Sequence, residues 1–361
     1  MSGPARPASP LARFGGRVAT GLRDVTSDPA ALDSAGFWAV AYDFEGRLTC
    51  ARFDDVRPAP APPGTAGWLG PHPGSWHSSL DRTAYTAGVR RIREHIAAGQ
   101  VYQANLCRVL GAPLPDPARS DIDALTGLLA RGNPAPYAGT LRLPAHGVEI
   151  ATASPELYLR RDGRTVSSGP IKGTGRTEDD LLEKDHAENV MIVDLVRNDL
   201  GRVCETGSVT VPDLCAVEKH PGLVHLVSTV RGTLREEAGW PELFGATFPP
   251  GSVTGAPKSS ALRIIDSLET APRGPYCGAV GWVDADRGEA ELAVGIRTFW
   301  IDRSDAAHPE LRFGTGAGIT WESDPEREWA ETELKAARLV AIASAGATPS
   351  ATPTATPDGT P

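Results

Sequence analysis

Short apolar strands interrupted at irregular intervals by long helices constrain this chain more than any other feature. Strand-like runs occur at Phe37 to Tyr42, Leu48 to Phe53, Gly147 to Ala151, Leu157 to Arg160, Ala279 to Asp284, Glu291 to Ile301 and Leu311 to Gly314. Glu45-Gly46 supplies a hairpin turn between the first two. Helical spacing appears instead at Tyr85, Val89, Ile92 and Ile96, leading to Gly99 as a C-cap, and then over Glu178 to Leu200, Pro257 to Glu269 and Pro325 to Ala345. Hairpin-linked strands with helices inserted without a fixed period predict an α+β fold with antiparallel sheets rather than a repeat or a doubly wound sheet.

Composition narrows the class. The 361 residues are 40% hydrophobic and 22% charged, enough for a sizeable core. A net charge of -9 gives no electrostatic footprint for nucleic acid. The five cysteines show neither zinc spacing nor a paired framework, which suits a reducing compartment. No apolar run approaches the ~18 residues of a membrane span, and the N-terminus has no apolar leader segment, so the expected location is cytoplasmic. Three regions are expected: residues 1–80 with a strand hairpin, a main domain over 81–345, and a disordered Pro/Thr-rich tail over 346–361. The Pro/Gly-rich stretch Pro58 to Gly74 marks a linker or excursion between the first two.

Two helices each carry a pair of carboxylates three residues apart, Asp185 with Glu188 and Glu328 with Glu331. If they face each other they offer more oxygen ligands than Mg2+ needs, since it takes one or two protein carboxylates plus waters and substrate oxygens; solvated helix faces would carry the same pattern. In the run Glu291 to Ile301, Leu292, Val294, Ile296 and Trp300 alternate with Ala293, Gly295, Arg297 and Phe299. Small neighbours leave room over Arg297 for bidentate capture of a carboxylate, or for a structural ion pair. Gly314 to Gly318 reads as a glycine turn whose amides could approach an anion, and Thr254 to Lys258 as a helix N-terminus with the same capacity. Lys172 stands in the constrained segment Gly169-Pro170-Ile171-Lys172-Gly173-Thr174, as a nucleophile, an anion contact or an exposed turn lysine. His225, in Val224-His225-Leu226-Val227, would by default be a neutral core histidine.

Taken in order, these segments resemble the chorismate-utilising enzymes. The resemblance rests on Val101-Tyr102-Gln103-Ala104-Asn105-Leu106, Ser154-Pro155-Glu156-Leu157, Pro170-Ile171-Lys172-Gly173-Thr174 and the long run from Glu188 through Asp194-Leu195-Val196-Arg197-Asn198-Asp199 to Val203. It continues through His225-Leu226-Val227-Ser228, Gly251 to Lys258, Arg273-Gly274-Pro275-Tyr276, Ile296-Arg297-Thr298 and Gly316 to Glu331, covering about two-thirds of the chain. It implies two packed antiparallel sheets flanked by helices in an α/β/β/α arrangement.

Within the family the pattern is most similar to the aminodeoxychorismate synthase component I branch, which aminates C4 of chorismate on the way to p-aminobenzoate and folate. The anthranilate synthase large subunit usually has alanine at the position of Lys172, and isochorismate and salicylate synthases place a base-forming lysine at that of Gln103. The resemblance implies Mg2+ on Glu188 and Glu328, with Asp185 and Glu331 as further or water-mediated ligands. It makes Glu156 the acid for the departing C4 oxygen, assisted by His225, and Lys172 the nucleophile at C2. Gln103, Thr254, Tyr276, Arg297, Gly316, Ala317, Gly318 and Lys335 would hold substrate. An amine of ordinary pKa near ~10.4 needs roughly 4 to 5 kcal/mol to deprotonate at neutral pH, so Lys172 is expected to require partial burial near Arg297 or the metal. The chain has no glycine-flanked cysteine elbow of the glutaminase type, so ammonia is expected from a separate glutamine amidotransferase subunit. The short N-terminal region argues against a tryptophan pocket. The rival expectations are an anthranilate synthase component I, with ammonia added at C2 and pyruvate eliminated, and a non-catalytic chorismate-fold binding subunit.

Overall fold

The computed structural model describes residues 8–175, 177–181, 183–220 and 223–346. Apart from Gly346, the expected tail lies outside them. Among the described residues, eighteen strands, every pairing antiparallel, form one continuous ladder that doubles back on itself. One half runs Thr210–His220, Leu223–Thr233, Thr165–Gly169, Leu157–Asp162, Glu289–Val294, Ala279–Asp284, Phe37–Tyr42, Leu48–Pro58 and Arg17–Thr26. The other runs Leu11–Phe14, Tyr137–Leu143, Val148–Ser154, Thr298–Asp302, Glu310–Ile319 and Gln103–Pro113. The N-terminal hairpin is therefore sheet rather than appendage, with Phe37–Tyr42 seated between its own partner and Ala279–Asp284.

Six α-helices lie among the described residues: α1 Arg82–Ala97, α2 Ile122–Gly132, α3 Glu183–Gly201, α4 Trp240–Thr247, α5 Lys258–Leu268 and α6 Pro325–Ala343. Side chains from both halves of the ladder, among them Ala39, Val280 and Leu292 from one and Cys107, Leu141 and Ile150 from the other, share one buried core. On its far side the second half buries Phe299, Leu311 and Phe313 against Leu125, Leu129 and Leu339 of α2 and α6, while α3 packs on the first half. The layers are thus the expected α/β/β/α. No helix among the described residues is long and apolar enough to cross a membrane.

Local chemistry sets the boundaries. The Asp81 carboxylate accepts the Ala84 N–H and starts α1, and Asp324 accepts from Glu326 and Arg327 while Pro325 takes the first turn of α6. The helix expected from Glu178 begins later. Thr177 and Asp180 close a capping box around a separate 3-10 turn, Glu178–Asp180, and Leu181 is extended before α3. The Pro58 to Gly74 stretch is an excursion tied to α6. The buried Trp68 donates its indole N–H to the Ala343 carbonyl at 2.8 Å, and the Gly70 N–H bonds to Ala345.

Two expectations for the site region are corrected. Glu291 to Ile301 is not one strand: it divides into Glu289–Val294 and Thr298–Asp302, which lie in opposite halves of the ladder. The break is steric and conformational. Gly295 packs against the Pro275 carbonyl with no room for a Cβ, and Arg297 takes a left-handed φ of 51°. Directly beside this break the chain makes a second crossing at Pro155-Glu156, between Val148–Ser154 and Leu157–Asp162. The two crossings stay bonded to each other: Ser154 Oγ donates to Val294 O at 2.6 Å, Val294 N to Glu156 O at 3.0 Å, and Ala153 N to Arg297 O at 3.0 Å. Nor is Gly314 to Gly318 a turn. It continues the strand Glu310–Ile319 opposite Asn105 to Val109, its glycines required by what lies on them: the Tyr276 ring on Gly314, Cys107 on Gly316 and the Gln103 amide on Gly318.

Candidate active site

Lys172 lies on the strand Ile171–Gly175, paired with Leu226 of Leu223–Thr233. The pairing slips by one residue after Lys172, where Gly173 has φ +75°. The missing side chain of Gly318 makes the meeting point. A Cβ there would lie 3.6 Å from Lys172 Nζ and would collide with Gln103 Nε2. Gln103 is 1% exposed, and among the described residues its Oε1 has no hydrogen-bond partner. A buried acceptor left unsatisfied costs about 1 to 3 kcal/mol unless a ligand or water takes it, which marks this spot as built for a polar guest.

Glu156 enters from the first crossing and is 4% exposed. Burial pushes its carboxyl up to about 7, against the Ser252 hydroxyl, the Lys172 charge and the Ile171 N–H, which all favour the ionised form. An acid poised near neutrality beside an amine is the arrangement proton transfer needs. Arg297 enters from the second crossing. Burial pulls its guanidinium below the ordinary value, and among the described residues no carboxylate or hydrogen-bond acceptor meets it. A desolvated cation held without a protein partner, in a backbone conformation that strains any non-glycine residue, suits an anionic ligand. His225 is buried on the strand beside that of Lys172, paired with Thr174.

The four carboxylates lie on α3 and α6. Asp185 of α3 packs on the Gly173 turn, with Glu188 three residues on. On α6, Glu328 and Glu331 lie near Tyr85: burial raises that phenol well above its ordinary value, and their negative charges push it the same way. Glu331 pairs with Lys335 at 2.6 Å, and Lys335 donates to the Gly316 carbonyl at 3.1 Å. Among the described residues no three of His, Cys, Asp or Glu gather into a ready-made cage. Carboxylates are the hard oxygen donors that Mg2+ prefers, and it takes one or two of them and completes its octahedron with water and substrate.

The structure thus brings together Lys172, Gln103, Gly318 and Glu156, with Asp185 alongside. Three other expected substrate contacts are buried. The Tyr276 hydroxyl meets the Cys107 thiol in the core at 3.9 Å. Thr254 is fully buried and donates to the carbonyls of Pro250 or Gly251 at 3.2 Å each. Ala317 is buried between α1 and α5 side chains. Sequence reasoning passed over Ser252, although it lies within the quoted Gly251 to Lys258 segment. It passed over Arg273 too, whose buried guanidinium binds Glu269, Val253 O and Asn105 O and so clamps the strand that carries Gln103.

A family model described as chorismate binding enzyme matches residues 53–341. Anthranilate synthase component 1 1 from Haloarcula marismortui is 40% identical over 278 residues, 74% of this chain and 54% of that relative. Aminodeoxychorismate synthase from Streptomyces pristinaespiralis is 41% identical over 292 residues, 76% of this chain and 38% of that protein. The chain spans about half the length of the curated relatives it matches. Among solved structures, a Bacillus anthracis protein assigned as a 2,3-dihydroxybenzoate-specific isochorismate synthase superposes with a TM-score of 0.75 at 25% identity, over 92% of this chain and 96% of that one.

Proposed function

Because the chain belongs to the chorismate binding enzyme family, we propose that it aminates chorismate at C4, giving 4-amino-4-deoxychorismate in the manner of an aminodeoxychorismate synthase component I. The observation that carries this reading is the Lys172 amine beside Gln103 and the open space over Gly318, within electrostatic reach of a carboxyl that holds its proton near neutrality.

The residues divide the work. Arg297 takes a substrate carboxylate and fixes the ring, so that the reacting atoms meet without a further entropic penalty. Glu156, with His225 close by, gives its proton to the C4 oxygen. Lys172 forms a bond to C2 as the C4–O bond breaks and water leaves. Ammonia then attacks C4 and expels the lysine, which departs with its electron pair as the free amine. Gln103 presents an acceptor to the incoming nitrogen side of the ring. Mg2+ held by Glu188 and Glu328, with Asp185 and Glu331 behind them, would neutralise the ring carboxylate and draw electron density from the ring. Ammonia would come from a glutamine amidotransferase subunit, the second component that the name component 1 of several relatives points to.

A second reading has its own support, since several relatives are named anthranilate synthase component 1. One experiment decides between them. Purified chain, chorismate, ammonium chloride and MgCl2 are incubated and the products resolved by mass spectrometry and fluorescence. 4-Amino-4-deoxychorismate without pyruvate supports the proposal; fluorescent anthranilate with one equivalent of pyruvate replaces it with the second reading; no turnover of chorismate rejects both.

A further inference from the structure

Sharing a cavity with Glu156 is a charged pair that the chemistry above does not use. Asp199, in the last turn of α3 and 5% exposed, pairs with Lys258, the first residue of α5, at 2.7 Å, and the same Nζ donates to the Thr247 carbonyl at 3.0 Å. Desolvating two charges is expensive, so a structural clip alone would be met as well by apolar packing. The pair's surroundings are specific. Asp199, Thr247, Tyr158, Ser252 and Glu156 line one half-open cavity with about 20 Å³ available to the centre of a water molecule. One water needs roughly 10–15 Å³ and two or more polar partners, so the cavity suits a single molecule. Its polar groups connect: the Tyr158 and Thr247 hydroxyls meet at 2.6 Å, and Ser252 bonds the Glu156 carboxyl. The outer end is Lys258, whose side chain keeps 17% exposure.

The inference rests on the proposed amination. In that reaction Glu156 loses a proton with each departing water. Ammonia enters neutral and, once bonded to C4, departs as the product's ammonium group with all three of its hydrogens, while Lys172 leaves as it entered. Glu156 is therefore left ionised once per turnover, with substrate or product covering its front. We propose that the Asp199–Lys258 pair, through one water in this cavity, returns that proton to Glu156 from solvent. A proton passes from Lys258 to Asp199, across the water to Glu156, and Lys258 regains one from bulk water. Burial holds the Asp199 carboxyl above its ordinary value although Lys258, Arg202 and Asn198 favour its ionised form, so it can carry a proton in transit. The groups facing Glu156 are Ser252, Lys172 and the Ile171 N–H.

The variants are Asp199→Asn, which cannot relay, and Lys258→Arg, which keeps the ion pair but holds its proton permanently. In rapid-quench experiments both should make the first equivalent of product at near the wild-type rate, then continue about tenfold or more slower. A structural clip predicts loss in both phases for Asp199→Asn and wild-type behaviour for Lys258→Arg, and that pattern overturns the proposal. A second readout needs no turnover. The carboxylic acid stretch of Glu156, identified by its disappearance in Glu156→Gln, is followed by infrared spectroscopy after mixing into D2O. Deuterium should reach it about tenfold more slowly in both variants. Unchanged exchange overturns the relay whatever the activity, whereas slowed exchange in a protein that leaves chorismate untouched upholds the relay and rejects the amination.

Discussion

Replacing Glu156 by glutamine should reshape the pH dependence of stability. A carboxyl of ordinary pKa 4.5 held at about 7 keeps, in the folded state, a proton that the unfolded chain has already lost. Unfolding then releases a proton between these two values, so stability is fully present below pH 4.5 and falls as pH rises through the window, by about 1.4 kcal/mol per pH unit. The whole loss is about 3 kcal/mol, of which about 2.5 kcal/mol falls between pH 5 and pH 8. Glutamine cannot ionise. Relative to wild type, Glu156→Gln should therefore gain about 2.5 kcal/mol over that range, whatever its offset at pH 5. Urea unfolding followed by the fluorescence of the eight tryptophans measures this difference pH by pH. A difference that stays flat within about 0.5 kcal/mol from pH 5 to pH 8 refutes the argument that burial, rather than Lys172, governs this carboxyl.

Three further outcomes are expected. Lys172→Ala should lose most 4-amino-4-deoxychorismate formation, and wild type incubated with chorismate without ammonia should carry a mass adduct on the peptide containing Lys172; a variant that keeps the wild-type rate makes Lys172 an electrostatic bystander. Glu188→Ala or Glu328→Ala should abolish Mg2+-dependent turnover while circular dichroism stays native, and near-native activity with intact Mg2+ dependence in both would remove the metal assignment. Arg297→Ala should raise the chorismate KM by about 10- to 100-fold, the loss of a charge-assisted contact worth roughly 1.5–3 kcal/mol, and an unchanged KM means that the guanidinium holds no carboxylate.

Legibility followed locality. Helices α5 and α6 end within two residues of where the sequence puts them, because proline and N-cap signals are local. The expected strand Glu291 to Ile301 failed because apolar alternation carries no clear mark of a change of sheet; Gly295 hinted at it, and the partner that demands a glycine there, the Pro275 carbonyl, is remote in sequence. The same limit explains Gly314 to Gly318, where the glycines accommodate Tyr276, Cys107 and Gln103 rather than a turn. Helix α2 went unread although Ile122, Leu125 and Leu129 show helical spacing, since its Asp121 cap follows a Pro-rich stretch. At the site, residue types were readable and their companions were not. Lys172 stood out from its constrained segment, but its approach to Gly318 and Gln103 depends on strands more than fifty residues away in either direction.

The paired crossings at Pro155-Glu156 and Gly295-Arg297 carry a mechanical consequence. The acid and the guanidinium stand where one two-stranded ribbon passes from one sheet into the other, so the offset between them is set by how the sheets lie on each other rather than by any loop. Sliding one sheet over the other moves both groups together with the ribbon. Close-packed cores transmit such displacements instead of absorbing them. Activity lesions in this chain should accordingly scatter through the inter-sheet core: trimming Leu292 or Ile150, both members of that core, should depress turnover beyond what the lost stability explains. The hinge of the site is the sandwich itself.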